Sequence, residues 1–315
     1  MKNLPKIALG TWSWGTGVAG GDTVFGNQLS DEQMNAVFES ATMAGLNLWD
    51  TAAVYGMGSS EDALGKLIRR HPNNSMILST KFTPQIADEN ADEPVSKMLE
   101  ASLQRLGVSS IDIYWIHNPH DVEKWTPGLI PLLRSGKVKH VGVSNHNLEE
   151  IKRANEILGE AGFCISAVQN HYSLLYRSSE NAGILAYCKE NSITFLSYMV
   201  LEQGALSGKY GPDNPMPEGS GRAGTYNKIL PRLKLLTDEM KSMGETRNAT
   251  VAQIAIAWAI SKGTLPIIGT TKIEHVTDAV SASKITLSNE EILVLEDLAL
   301  KAGVNTRGSW ENKME

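Results

Sequence analysis

Only two cysteines occur among the 315 residues, so no disulfide framework is available to hold the chain together. Cys164 and Cys188 both lie in apolar stretches that read as buried. No apolar run approaches the roughly 18 residues that a membrane-spanning helix requires, and no membrane partner is expected. Basic blocks and basic-aromatic stripes are also missing. With 29 Lys and Arg against 35 Asp and Glu, a formal net charge of −6, the chain is not expected to bind nucleic acid. The opening MKNLPKIALGTW is too short and polar for a signal peptide and runs straight into strand-like sequence, which points to a cytoplasmic protein. Low-complexity tails are absent too. What is present is a hydrophobic content of 42%, enough for one large core spanning residues 1–315 as a single domain.

Short apolar runs alternate with amphipathic stretches along the chain. The runs at residues 6–12, LNLWDTA, MILSTKF, IDIYWIH, 139–145, 165–172, 193–200 and 265–270 read as eight strands. Most are continuously apolar, as parallel strands covered on both faces should be. Between them, helix signals recur: Ser30 with Gln33 three residues on, Pro94 in a first turn, Thr250 before TVAQIAIAWAISKG, and a final helix in SNEEILVLEDLALKAG. Eight strand–helix pairs predict an α/β fold, a closed (β/α)8 TIM barrel with an extra C-terminal helix. An open doubly wound sheet is the runner-up, but GTWSWGTGVAGG after the first strand fits a GxGxxG turn poorly. The Gly- and Pro-rich stretch from Gln203 to Tyr226 is long for a connection and reads as a lid or mobile segment.

Four side chains stand at or just past the ends of three of these strands: Asp50, Tyr55, Lys81 and His117. Titratable groups gathered at the carboxyl ends of parallel strands are how such a barrel builds an active site. A lysine beside a phenol lowers the phenol pKa from its usual value of about 10. The reading is that Tyr55 donates a proton to a carbonyl oxygen as hydride reaches carbon. Lys81 tunes Tyr55, Asp50 holds Lys81, and His117 orients the carbonyl. Taken singly, each residue reads as a strand-end charge or a structural donor; only their joint placement favours chemistry.

The segments LWDTAAVYGMGSSEDALG, LSTKF, SSIDIYWIHNP, GKVKHVGVSNH, AVQNHYSLL, QGALSGKY and LPIIGTTKIEH, in this order, resemble the aldo-keto reductase family over nearly the whole length. The resemblance implies that Asp50, Tyr55, Lys81 and His117 are the catalytic tetrad. It also implies NADP(H) bound in extended form, with NAD(H) as the alternative. Ser144, Asn145 and Gln169 would hold the nicotinamide carboxamide, with Gly10, Thr11, Trp12 and Asp50 near the same ring. Tyr198 would stack on the nicotinamide, and Met199, Val200, Leu201, Gln203, Gly204, Leu206 and Lys209 would run along the pyrophosphate. Ile268, Gly269, Thr270, Thr271, Lys272, His275 and Asp278 would face the adenosine end. The substrate would be a small carbonyl or alcohol compound against Trp12, Trp14, Tyr55, His117 and Asn118. Trp115, Trp125 and Trp310 are further candidates for aromatic walls.

The chain departs from the family pattern in two places. Met199-Val200 follows the stacking tyrosine where many relatives have Ser-Pro, which frees the backbone there. Gly269-Thr270 and His275 replace a Lys-Ser pair and an Arg that grips the 2′-phosphate. A neutral imidazole is a poor substitute for a guanidinium fork, and Lys272 is left to supply the charge. Other classes compete with the enzyme reading. One is a cofactor-binding regulatory or scaffold subunit of the same fold, like the potassium-channel β subunits. Another is a barrel lyase or isomerase, which leaves Ser144, Asn145 and Gln169 unexplained. His117, His120 and Asp121 lack metal-ligand spacing, so no metal is expected. Substrate identity, direction of reaction and oligomeric state are not encoded in any motif.

Overall fold

Eight parallel strands close into a barrel in sequence order: β1 (Ala8–Gly10), β2 (Leu48–Asp50), β3 (Ile77–Phe82), β4 (Ile111–Ile116), β5 (Val138–Ser144), β6 (Ala167–His171), β7 (Thr194–Tyr198) and β8 (Leu265–Gly269), with β8 pairing back to β1. The computed structural model describes Met1 and residues 4–314. Helices return the chain between strands on the outside, and Asn289–Ala302 adds a last helix beyond the eightfold repeat.

Local chemistry sets the helix ends. Capping boxes start Asp31–Met43 at Ser30 with Gln33, Leu148–Glu160 at Asn147 with Glu150, Val251–Ser261 at Thr250 with Gln253, and Asn289–Ala302 at Ser288 with Glu291. Each box satisfies two backbone N–H groups that have no partner inside the helix. Pro94–Leu106 begins on its proline and stops at Gly107, where φ is 71°. Helix Ser59–Arg70 turns Ala63, Leu64, Leu67 and Ile68 inward, and its buried Glu61 accepts from Thr80 Oγ1 at 2.5 Å and Arg105 Nε at 2.6 Å. Each such fully buried Leu or Ile contributes roughly 1.5–3 kcal/mol of transfer free energy.

Strand alternation divides the barrel interior into layers. Ala8, Leu48, Ile113, Trp115, Ala167, Leu196 and Leu265 form one buried apolar cluster inside the barrel. Two residues further along the same strands stand Gly10, Asp50, His117, Gln169, Tyr198 and Ile267, on the same inward face because side chains alternate with period two. The apolar layer therefore carries a polar one at the carboxyl ends. Trp115 shares that face with His117, but it fills the barrel beneath the site and donates from Nε1 to Ser79 Oγ at 2.6 Å. Room for its ring comes from Gly142 on β5, where an added Cβ would stand 2.4 Å from the indole.

The elements correct the sequence reading in places. Residues 203–226 are not wholly irregular: a 3-10 turn, Glu202–Gly204, and a short helix, Gly221–Tyr226, punctuate them. The helix expected in SENAGILAYCKEN breaks at Gly183, whose φ is 77°, into Ser178–Asn181 and Ile184–Glu190. Cys188 is buried, but Cys164 is exposed, because it lies between a helix end and the start of β6. No described helix is long and apolar enough to cross a membrane.

Candidate active site

Asp50 closes β2, and its carboxylate is met from three sides. Lys81 Nζ donates to Oδ2 at 2.6 Å, while Ser79 Oγ at 2.6 Å and Gln169 Nε2 at 3.2 Å donate to Oδ1. Lys81 is fully buried, gives a second hydrogen bond to Thr51 O at 2.7 Å, and lies 5.1 Å from the centroid of the Tyr55 ring. Burial opposes the charge on Lys81, but Asp50 and Tyr55 outweigh it and its pKa is raised. The ammonium is retained below the phenol.

Tyr55 sits on the loop between β2 and the helix Ser59–Arg70. That loop doubles back under Thr16 at Gly56 (φ 59°), where a Cβ would stand 2.1 Å from Ser59 Oγ and 2.5 Å from Thr16 O. Only glycine fits, so Gly56 fixes where Tyr55 points. Trp12 stacks on the Tyr55 ring at 5.6 Å, and His117 meets it edge-on at 5.9 Å. Burial raises the Tyr55 pKa; Lys81 pulls it back and Asp50 pushes it up again, leaving a net rise. The expected lowering is therefore reversed, because desolvation exceeds the attraction of Lys81. Tyr55 is a protonated donor throughout the neutral range.

His117 follows β4 and continues its ladder, donating N–H to Phe82 O at 2.8 Å. Burial, with Lys81 adding to it, holds its pKa well below the usual value, so the ring is neutral. The buried Thr83 hydroxyl lies 2.9 Å from Nδ1, its one hydrogen-bond partner among the described residues. In the tautomer where that hydroxyl donates to Nδ1, the ring proton is on Nε2, the nitrogen then free to donate. Thr83 is a site residue that no sequence motif marked.

A cavity of about 1050 Å³ opens above this layer. That exceeds the range of about 300–1000 Å³ common for one small ligand. Of the residues read from the sequence, its walls include Gly10, Trp12, Asn118, Ser144, Asn145, Gln169 and Tyr198. Met199, Val200, Leu201, Gln203, Gly204 and Lys209 follow from the loop after β7, then Ile268, Gly269, Thr271, Lys272, His275 and Asp278 from the end of β8 and the helix after it. Burial lowers the His275 pKa, and its Nδ1 accepts from Thr271 N at 3.2 Å, so it brings no positive charge. Lys272, Lys209 and Arg222 do. Arg222 comes from the short helix in the long connection and donates to Gln203 O at 2.9 Å.

Other expected residues lie elsewhere. Thr11 is buried, with its hydroxyl 2.9 Å from Ser60 Oγ. Thr270 and Leu206 are buried outside the cavity wall. Trp14 is no pocket wall: it packs on Trp49 at 5.3 Å and donates to Thr270 O at 2.7 Å, tying the loop after β1 to the end of β8. Trp125 packs on Phe82 in the outer core. Trp310 does reach the cavity and meets Trp12 edge-on at 6.1 Å.

The loop after Tyr198 turns through left-handed backbone: Met199, Glu202 and Gln203 have φ of 60°, 47° and 51°. Left-handed non-glycine residues persist only where the surroundings over-determine them. Glu202 supplies that anchor. It is fully buried and accepts from Tyr226 at 2.7 Å, Thr306 at 2.9 Å, His171 Nε2 at 3.0 Å and the Ser173 hydroxyl. His171 Nδ1 faces Glu311 Oε1 at 3.0 Å. Against the opposing effect of burial, the two carboxylates raise the His171 pKa to about 9. Since the folded pKa lies above the unfolded value near 6.5, this stabilisation is complete below about pH 6.5 and disappears as pH rises through about 9. His146, buried and lowered to about 4, works the other way, losing its contribution as pH falls from 6.5. Unfolding free energy measured in denaturant should accordingly decline from pH 6.5 to 9; a flat or rising profile there would contradict the buried imidazolium.

The family model described as "Aldo/keto reductase family" matches residues 6–299. The chain belongs to the aldo/keto reductase family. It is 33% identical to a chloroplastic pyridoxal reductase of Arabidopsis thaliana, over 93% of this chain and 83% of that one. It is 30% identical to the aldo-keto reductase yakc [NADP(+)] of Schizosaccharomyces pombe, over 87% and 85%. Among solved structures, a glycerol dehydrogenase of Gluconobacter oxydans superposes with a TM-score of 0.80 at 27% identity, covering 97% of this chain and 94% of the other. An aldo/keto reductase of Klebsiella pneumoniae in complex with NADP and acetate gives 0.71 at 26% identity, covering 99% and 95%. This aldo/keto reductase is thus an oxidoreductase of a family that uses a nicotinamide cofactor.

Proposed function

We propose that this protein is an NADP(H)-dependent carbonyl reductase, or an alcohol dehydrogenase in the reverse direction, with Tyr55 as general acid. The observation that carries this is the fully buried Lys81, paired with Asp50 and lying beneath Tyr55, with neutral His117 across the same end of the cavity. A carbonyl oxygen placed between the Tyr55 hydroxyl and His117 Nε2 receives two donors aimed where negative charge develops. The bound nicotinamide supplies hydride to the carbonyl carbon. Tyr55 gives its proton to the oxygen, and the Lys81 ammonium stabilises the phenolate left behind until solvent reprotonates it. Asp50 keeps that ammonium in place.

The residues present suit the cofactor. Ser144, Asn145 and Gln169 offer amide and hydroxyl groups at the quartet's edge, Tyr198 offers a ring face, and the cavity runs on to the cations beyond. NADP(H) is preferred over NAD(H) in this reading because Lys272, Lys209 and Arg222 line the cavity where His275 does not contribute charge. Lys272→Ala should raise KM for NADPH about tenfold and leave KM for NADH nearly unchanged. Equal effects on both cofactors, or a lower wild-type KM for NADH, would count against 2′-phosphate recognition.

Trp12, Phe25, Tyr55 and Trp310 surround the mouth, with the amides of Asn27, Gln85 and Asn118 between them. Aromatic walls with a few neutral polar groups suit a flat carbonyl compound. The name of the Arabidopsis relative makes pyridoxal a natural first member of the panel. NADPH oxidation followed across aromatic aldehydes, ketones and small sugars tests the function. Binding of NADPH without turnover on any of them would favour a regulatory subunit.

A further inference from the structure

We propose that Glu311, in the segment after the last helix, positions the nicotinamide site by drawing the Tyr198 proton away from Asn145. The inference rests on the reading that Asn145 and Tyr198 hold the nicotinamide.

Tyr198 has one hydroxyl hydrogen and two acceptors: Asn145 Oδ1 at 2.5 Å and Glu311 Oε1 at 3.0 Å. The orientation of the Asn145 amide follows from its surroundings. Its Nδ2 donates to His117 O at 2.9 Å, and Ser144 Oγ and Asn118 Oδ1 lie at 3.2 and 3.3 Å. The carbonyl of Asn145 is thus the group turned to Tyr198. With the proton on that side, Asn145 Oδ1 already accepts one short hydrogen bond and offers a carboxamide N–H only its second lone pair, as a weaker acceptor. With the proton on Glu311, Asn145 Oδ1 is released, and only a hydroxyl hydrogen has moved.

Glu311 is built to be the second acceptor. It is 6% exposed and held from behind by His171 Nδ1. His171 Nε2 faces Glu202, so both ring nitrogens donate to carboxylates and the ring is an imidazolium. A carboxylate is a stronger acceptor than an amide oxygen, roughly twofold in energy. The shorter contact favours Asn145, and the stronger acceptor is ready when a carboxamide claims Asn145. Thr306, five residues before Glu311, is pinned to the same Glu202, so the segment arrives at Tyr198 with its position already set.

Glu311→Gln removes the choice. The Gln carbonyl goes to the His171 N–H, its amide N–H turns toward the Tyr198 oxygen, and the Tyr198 proton is locked on Asn145. Titrating protein fluorescence with NADPH and with 2′-phospho-ADP-ribose, the cofactor without its nicotinamide, separates the possibilities. E311Q is expected to weaken NADPH about threefold, part of the worth of one hydrogen bond, and to leave 2′-phospho-ADP-ribose unchanged. In a Tyr198→Phe background, where no hydroxyl competes for Asn145, E311Q should have no further effect. Wild-type NADPH affinity in E311Q, weakening of both ligands alike, or a loss that persists with Tyr198→Phe would each overturn the proposal. Should E311Q fail to fold, Glu311→Asp, which withdraws the carboxylate from Tyr198, is expected to show the same selective loss, and unchanged NADPH binding there would overturn it. Failure of the wild-type protein to bind NADPH would instead remove the functional reading beneath it.

Discussion

Tyr55→Phe is expected to lower carbonyl reduction by roughly 10²–10⁴-fold, the contribution of a positioned general acid, while NADPH binding stays within about twofold. The ring is kept, so its stacking on Trp12, its edge contact with His117 and the Lys81 ammonium beneath it survive. Only the O–H is lost. Its pKa is raised by burial, so wild-type reduction should hold up through the neutral range and decline only when the phenol ionises at alkaline pH. Single-turnover rates on an aldehyde, together with a fluorescence titration of NADPH, check both halves. Turnover near the wild-type rate in the Phe variant would rule out Tyr55 as the acid.

Glu202→Ala should be among the most damaging substitutions to stability outside the quartet. It takes the acceptor away from Tyr226, Thr306, the Ser173 hydroxyl and His171 at once. Removing one partner from a buried charged pair costs about 3–5 kcal/mol. For a chain of this size that is a fall in thermal midpoint of roughly 5–8 °C. The loop after β7 would also lose the anchor for its left-handed residues, so NADPH affinity should drop with stability. A midpoint within about 2 °C of the wild type would show that the cluster contributes little. This expectation differs from the one for Glu311→Gln, which keeps the tail docked and touches the nicotinamide end alone.

The barrel was legible because its information is local and periodic. Capping boxes at Ser30 and Thr250, a proline in the first turn at Pro94 and eight apolar runs are each readable within a dozen residues. The quartet was legible for the same reason, since strand ends in a parallel barrel all point one way. Alternation even carried a signal that went unread: His171 lies two residues after Gln169 and so shares its face of β6. Where residues depend on a neighbour far along the chain, the reading failed. Trp14 and Trp115 look like pocket aromatics, yet Thr270 O claims one and the space beside Gly142 takes the other.

By itself, then, the sequence determined the strand–helix order, the closed barrel and the four titratable residues at its mouth, because short-range patterning dictates which face each side chain takes. Tertiary structure alone decided the electrostatics. Whether Lys81 or burial governs Tyr55 depends on how completely water is excluded above the barrel. Likewise, Glu202, His171 and Glu311 become one buried cluster only when residues 140 positions apart are packed together, and no local pattern records that distance.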